Sequence, residues 1–253
     1  MVAITAGLAR TARPTFYVWM AGLFVLIAFG GFTPTYWAKL AGGSAHFDPI
    51  VHVHGALLFT WTLFYLSQTW RVAVGRMSEH REWGVAGVAL VTAMCISMVL
   101  MAIHSMKADD AVGRGDAGRS FAILGLTGSV IIGGLVAAAI ANVRRPEAHK
   151  RLMILAMLPP MHAALARVFL ALFAPPGAAG AGPPPVFVAV PPGLAACLLL
   201  VPAMIYDWRT RGRPHPVYLV GLPVFLLYVL SLVPISSTPQ WVAFARGVEG
   251  LMG

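Results

Sequence analysis

Apolar residues run along this chain in seven long blocks separated by short polar breaks. Each block reaches the roughly 20 residues that a helix needs to cross about 30 Å of hydrocarbon. The pattern predicts helices over 15–36, 49–72, 83–106, 120–143, 150–174, 186–206 and 215–235. The breaks carry start signals. Asp48-Pro49 joins a capping carboxylate to a proline in the first turn. Thr238-Pro239 repeats that grammar ahead of a last short helix, about 239–252. Its Trp241, Phe244, Val248 and Leu251 recur on one face, which predicts an amphipathic helix in the outer membrane interface. No soluble domain fits around these blocks, so the expectation is an all-α, polytopic, single seven-helix domain over 1–253.

Composition agrees and removes other classes. Hydrophobic residues are 58% of the 253 and charged residues 11%, with a mean hydropathy of +0.78, so the chain is an integral membrane protein. The net charge of +9 is unevenly placed. Arg10, Arg13, Arg71, Arg76, Arg81, Arg144, Arg145, Lys150, Arg151, Arg209, Arg211 and Arg213 fall on one side of the seven spans, against Lys39, Lys107, Arg114, Arg119 and Arg246 on the other. Translocating positive charge is disfavoured, so the N-terminus is expected in the cytoplasm of a bacterial inner membrane and the C-terminus in the periplasm. The charge then reports topology and suits anionic lipid heads; it is no nucleic-acid footprint. The first block exceeds a signal-peptide core and ends in "TPTYWAKL" without a clear small-residue cleavage site, so it reads as a helix.

Several features speak to packing. Gly125, Ser129, Gly133, Ala137 and Ala141 recur every four residues and predict a smooth groove for a neighbouring helix. Pro159-Pro160 and Pro191-Pro192 free backbone carbonyls and are expected to bend helices 5 and 6, either as mere shape or to widen a cavity. The charge-free "PPGAAGAGPPP", 175–185, reads as a mobile linker. Cys95 and Cys197 lie within spans, where a small polarizable hydrophobe is the ordinary reading.

Candidate chemistry gathers near the outer ends. The Asp48-Pro49 start fixes His52 and His54 in the first turns of helix 2, about 200° apart, so one metal cannot easily take both. His46 precedes them, His104 ends helix 3, and His162 and Arg167 sit in helix 5. Ala163, Ala164 and Ala171 around Arg167 predict burial against protein, and a buried charge needs a partner. The candidate metal ligands are therefore His54, His104, His52, His162, His46 and Asp48, with His54 and His104 the preferred pair. Arg167 is the expected partner of a haem propionate or another anion. Trp61, Tyr65 and Gln68 share a stripe with His54 and complete the cofactor-binding set. Hydrogen bonding at a wet membrane edge is the alternative for every one of these histidines, and interfacial structure is the ordinary reading of His80, His149 and His215 at the opposite ends, with binding of an acidic group or a metal as their alternative. Helix 7 has no lysine for a retinal Schiff base, no Gly-rich nucleotide loop or Ser-His-Asp pattern stands out, and acidic residues lie near membrane edges.

"FTPTYW", "HVHGALLFTWTLFYLSQTW", "HREWG", "RPEAHKRLMILA", "RPHPVYLVG" and "TPQWVAF" together resemble a family of bacterial multi-pass membrane proteins of unassigned function. A more distant likeness is to a domain-of-unknown-function group with a His, a Gln one helix-length later and an HR-x-x-G, places taken here by His54, Gln68, His80 and Gly84. The resemblance implies a seven-helix bacterial protein and names no substrate. From the residues, the expected function is a membrane redox protein or metalloenzyme holding haem b or a copper, iron or zinc ion and acting on a hydrophobic or quinone-like molecule. A small-molecule transporter or sensor is the alternative, as is a structural subunit that meets a membrane-protein partner or its own copy.

Overall fold

The computed structural model describes residues 15–44, 46–175 and 182–252, and among them all regular structure is helical. Seven helices are long and apolar enough to cross a membrane: α1 Phe16–Ala41, α2 Pro49–Ala73, α3 Met77–Asp110, α4 Gly115–Ala141, α5 Pro146–Phe173, α6 Val186–Arg211 and α7 Pro216–Ser236. A short α8, Pro239–Glu249, follows. The protein is thus a multi-pass, all-α membrane protein. Arg10 and Arg13 and most of the 175–185 linker lie outside the described residues. The end of the bundle that carries the other ten residues of the larger basic set is called the basic end below, and the opposite one the outer end.

The prolines act at unequal depths. In α5 the helix is interrupted at Met157, whose N–H reaches back only three residues to Ile154 O, because Pro159 and Pro160 cannot donate to Leu155 and Ala156. That is the expected bend. In α6, however, Pro191 and Pro192 stand in the first turn after a 3-10 segment at Val186–Ala189, where a missing N–H costs little. The interruption comes lower, at Leu199 and Leu200, one turn ahead of Pro202.

Backbones approach closely where glycine permits it. A Cβ added to Gly31 of α1 would stand 2.5 Å from the Ala164 carbonyl oxygen of α5. The α4 groove is real over half its predicted length. Gly125 meets Ala102 and Gly133 meets Cys95, both on α3, whereas Ala137 and Ala141 are exposed. Leu155, Met157, Leu158 and Met161 of α5 are almost wholly buried, so α5 runs through the middle of the core.

Two ionic clusters brace the ends. At the basic end Arg151 of α5, 1% exposed, donates to both carboxylate oxygens of Asp207 on α6, and Glu147 gathers Lys150, Arg151 and Arg211 at 2.6 Å each. At the outer end Arg119 donates to Glu249 and Asp110 at 2.8 Å and to Asp116 at 3.2 Å, while Trp241 Nε1 donates to the Arg119 carbonyl. These contacts correct the expected posture of α8. Thr238 caps it as expected, accepting from Trp241 N, but its buried face is Trp241, Ala245 and Glu249 packed on protein. Phe244 and Leu251 point outward instead.

Candidate functional site

A cavity of about 620 Å³ opens in the outer half of the bundle, and every one of α1 to α7 contributes to its wall. This size falls within the usual range of small-molecule sites. The construction follows from the sequence. Gly125 and Gly128 leave one wall without side chains, Pro159 and Pro160 line the floor where α5 is interrupted, and Phe32 and Tyr36 close one side. The wall is mainly apolar, with Tyr36, His54, His104, Asp109, His162, Arg167 and Tyr228 as its larger polar members, and Asp109 is paired with Arg114 at 3.3 Å.

The hydrogen bonds of the imidazoles assign their protons. Ser97 Oγ donates its single proton to Met94 O at 2.7 Å, so at 3.1 Å from His54 Nδ1 it accepts. His54 therefore carries its proton on Nδ1 and a lone pair on Nε2, which has no protein partner among the described residues. His162 is held the other way round, its Nε2–H donating to Ala189 O at 2.7 Å. His104 Nε2 lies 2.9 Å from Asp48 Oδ2. That bond overturns one expectation: the Asp48 carboxylate makes no helix-capping bond, and instead ties the start of α2 to the end of α3.

Arg167 is the unusual member. It lies well inside α5, yet its surface is exposed because it faces the cavity. Its guanidinium sits 5.5 Å from the Phe32 ring centre and makes no hydrogen bond or ion pair with the described residues. Of the small residues around it, Ala164 is buried against protein as expected and Ala163 lines the cavity, whereas Ala171 is exposed and outside the cavity lining.

The remaining predicted residues divide into two groups outside the cavity. At the rim, His46 is exposed, and His52 Nδ1 is bonded to Tyr36 OH at 2.8 Å. Below, Trp61, Tyr65 and Gln68 are buried at 1%, 4% and 7% exposure, on the shared stripe but nearer the basic end. Among the described residues no three His, Cys, Asp or Glu side chains form a metal-holding group, so the six candidate ligands do not share one centre. Sequence reasoning missed Ser97 and Tyr228, since a hydroxyl in an apolar helix is too ordinary to stand out. It also missed the Arg151–Asp207 pair, for which the signal was a lone acid in α6. Comparison with protein-family models, curated proteins and solved structures finds no match for this chain.

Proposed function

We propose that the outer cavity receives an amphipathic molecule with an anionic group, held by Arg167 and His54, in the inner membrane of a bacterium. The observation that carries this reading is the guanidinium of Arg167, which stands in a cavity wall within a membrane span and forms no ion pair among the described residues, the one carboxylate lining the cavity, Asp109, being engaged by Arg114. An unpaired charge at such depth is costly and marks a ligand or ion path. Haem b is a cofactor that would use both groups: His54 would hold its iron through the Nε2 lone pair, Arg167 would pair a carboxylate of the macrocycle, and the group would supply one-electron chemistry. The Ser97 bond to Nδ1 supports this by fixing the ring, as second partners of metal-bound histidines do. On this reading the protein is a redox protein, and its hydrophobic or quinone-like partner arrives from the lipid.

One observation favours a second reading, a non-catalytic carrier or sensor for a fatty-acid-like anion. The cavity wall is mainly apolar around the Arg167 guanidinium, and His104, His162 and His54 are each already engaged through one ring nitrogen, by Asp48, Ala189 O and Ser97. One experiment separates the two. Protein purified in mild detergent is examined by absorption spectroscopy, metal analysis and mass spectrometry of its extracted lipophiles. The haem reading expects about one haem per chain, lost in His54→Ala and depleted in Arg167→Leu, with folding kept. A colourless, metal-free protein whose co-purified anion disappears in Arg167→Leu supports the carrier. Indifference of both variants, with nothing co-purifying, removes both readings.

A further inference from the structure

We propose that Gln68, His80 and His149 form a second site, at the basic end between α2, α3 and α5, that binds one divalent transition-metal ion of the copper or zinc class. Nothing in this proposal depends on the outer cavity. It starts from atoms that the fold leaves unanswered. Gln68 is 93% buried, yet among the described residues neither Oε1 nor Nε2 of its carboxamide has a hydrogen-bond partner, and the buried Nδ1 of His80 has none either. A buried amide in a membrane helix has no bulk water to fall back on, so orphaned atoms of this kind point to something that the protein alone does not supply.

Topology brings the three residues together. α2 and α3 are antiparallel and joined through Val74–Arg76, so Gln68 and His80, six residues either side of Val74, come level, and the Gln68 backbone carbonyl stands beside the His80 ring. His149 enters from the first turns of α5, and its Nδ1 lies 2.8 Å from the Ala139 carbonyl at the end of α4. A carbonyl can only accept, so Nδ1 holds the proton and Nε2 carries the lone pair. This is the arrangement in which imidazole usually meets a metal.

The two rings meet edge to face, with centroids 6.3 Å apart and planes at 81°. Two imidazoles that share one ion, with metal–nitrogen bonds of about 2.0–2.1 Å, place their centroids roughly 5–6.5 Å apart. The observed spacing lies at the wide end of that range, which requires the two nitrogens to stand nearly opposite each other across the ion, as in a tetragonal Cu²⁺ site, and it is too wide for a direct ring-to-ring hydrogen bond to explain the pair. Two neutral nitrogens and an amide oxygen suit borderline ions such as Cu²⁺ and Zn²⁺ better than Ca²⁺ or Mg²⁺, which prefer carboxylate and carbonyl oxygens. The nearest cation, Arg71, is engaged by Ser67 Oγ at 2.9 Å, by Glu79 at 3.8 Å and by the Trp83 ring. A neutral ligand set beside arginine gives modest affinity, so the site belongs to reversible binding.

The test uses the full chain in detergent, stripped with a chelator and titrated separately with Zn²⁺ and Cu²⁺ by calorimetry, with Cu²⁺ samples read by electron paramagnetic resonance. Expected are one ion per chain and a nitrogen hyperfine pattern of two imidazoles. Removing a ligand, in His80→Ala, His149→Ala or Gln68→Leu, weakens binding by about tenfold or more. Gln68→Glu, which supplies a charged oxygen at the same place, tightens it. His54→Ala leaves it unchanged, so failure here and failure of the cavity reading are separately visible. Absence of binding overturns the proposal, as does an ion that survives the His80→Ala/His149→Ala double variant, because that ion sits on other histidines. If the alanine variants fail to fold, the hyperfine pattern of the parent protein and the sign of the Gln68→Glu effect still decide. A Gln68→Leu protein of raised stability beside a metal-free parent assigns the orphaned amide to poor packing.

Discussion

At the scale of single residues, the consequential groups are polar atoms whose partners come from distant parts of the chain. Arg119 is one. Its guanidinium is 9% exposed and its partner Glu249 10%, whereas Asp110 and Asp116 remain open to water. Arg119→Leu is expected to destabilise the protein by on the order of 3 kcal/mol, mostly by stranding Glu249. Arg246→Leu removes only an exposed pair with Asp116 and is expected to cost under about 0.5 kcal/mol. Thermal unfolding of the two variants in detergent checks the contrast. His215 supplies a pH dependence. Burial, then Arg151 and Arg211, hold its pKa below the ordinary value, and its neutral Nδ1 accepts from Val217 N. A histidine with a lowered folded pKa binds fewer protons than the unfolded chain, so its contribution is complete above about pH 6.5 and fades as the pH falls below that. His215→Asn, which keeps a capping acceptor without the titration, is expected to lose less melting temperature than the parent between about pH 7.5 and 5.5. Of the candidate site, depth was legible in the chain and partnership was not. Spacing placed His54, His104, His162 and Arg167 in one outer layer, and all four line one cavity. It could not tell that Asp48 answers His104 instead of capping its helix, because a carboxylate before a proline looks the same in either role.

Elements were legible because the membrane leaves few choices. All seven blocks became helices, and α2 begins and ends within a residue of its expected bounds. Hydropathy fades before helices stop, and so α3 extends beyond its apolar stretch at both ends, to Met77 and Asp110. Interruptions were harder to place, since a proline bends a helix only where its missing bond matters. Pro159-Pro160 met that condition and Pro191-Pro192, in a first turn, did not. Contacts between elements were the least visible. The four-residue stripe on α4 drew attention, yet the tightest backbone approach in reach of a glycine joins Gly31 to the Ala164 carbonyl. Backbone cannot yield as a flexible side chain does. Gly31→Ala is therefore expected to cost on the order of 1–3 kcal/mol by overpacking. Gly133→Ala, whose new methyl would meet Cys95 Sγ at an ordinary 3.6 Å, is expected to be neutral. Equal melting temperatures for these two variants would place the tolerance of the α1–α5 contact well above what the geometry allows.

For the whole molecule, seven crossings among the described residues put Thr15 and Met252 on opposite sides, and the basic residues choose which side is which. A reporter active only in the periplasm, fused after Gly253, is expected to be active, and the same reporter at the N-terminus silent; the reverse pattern inverts the topology. The final helix then acquires a significance that concerns time. A ribosome delivers this chain from its N-terminus, so Arg119 enters the membrane region well before Glu249 exists. Until α8 emerges, Arg119 has only Asp110 and Asp116, both facing water, and the Phe121–Ala122 side of the cavity wall lacks Trp241 and Ala245 at its back. Glu249 closes the clamp late, and so a chain that stalls before α8 emerges carries an arginine without its buried counter-charge.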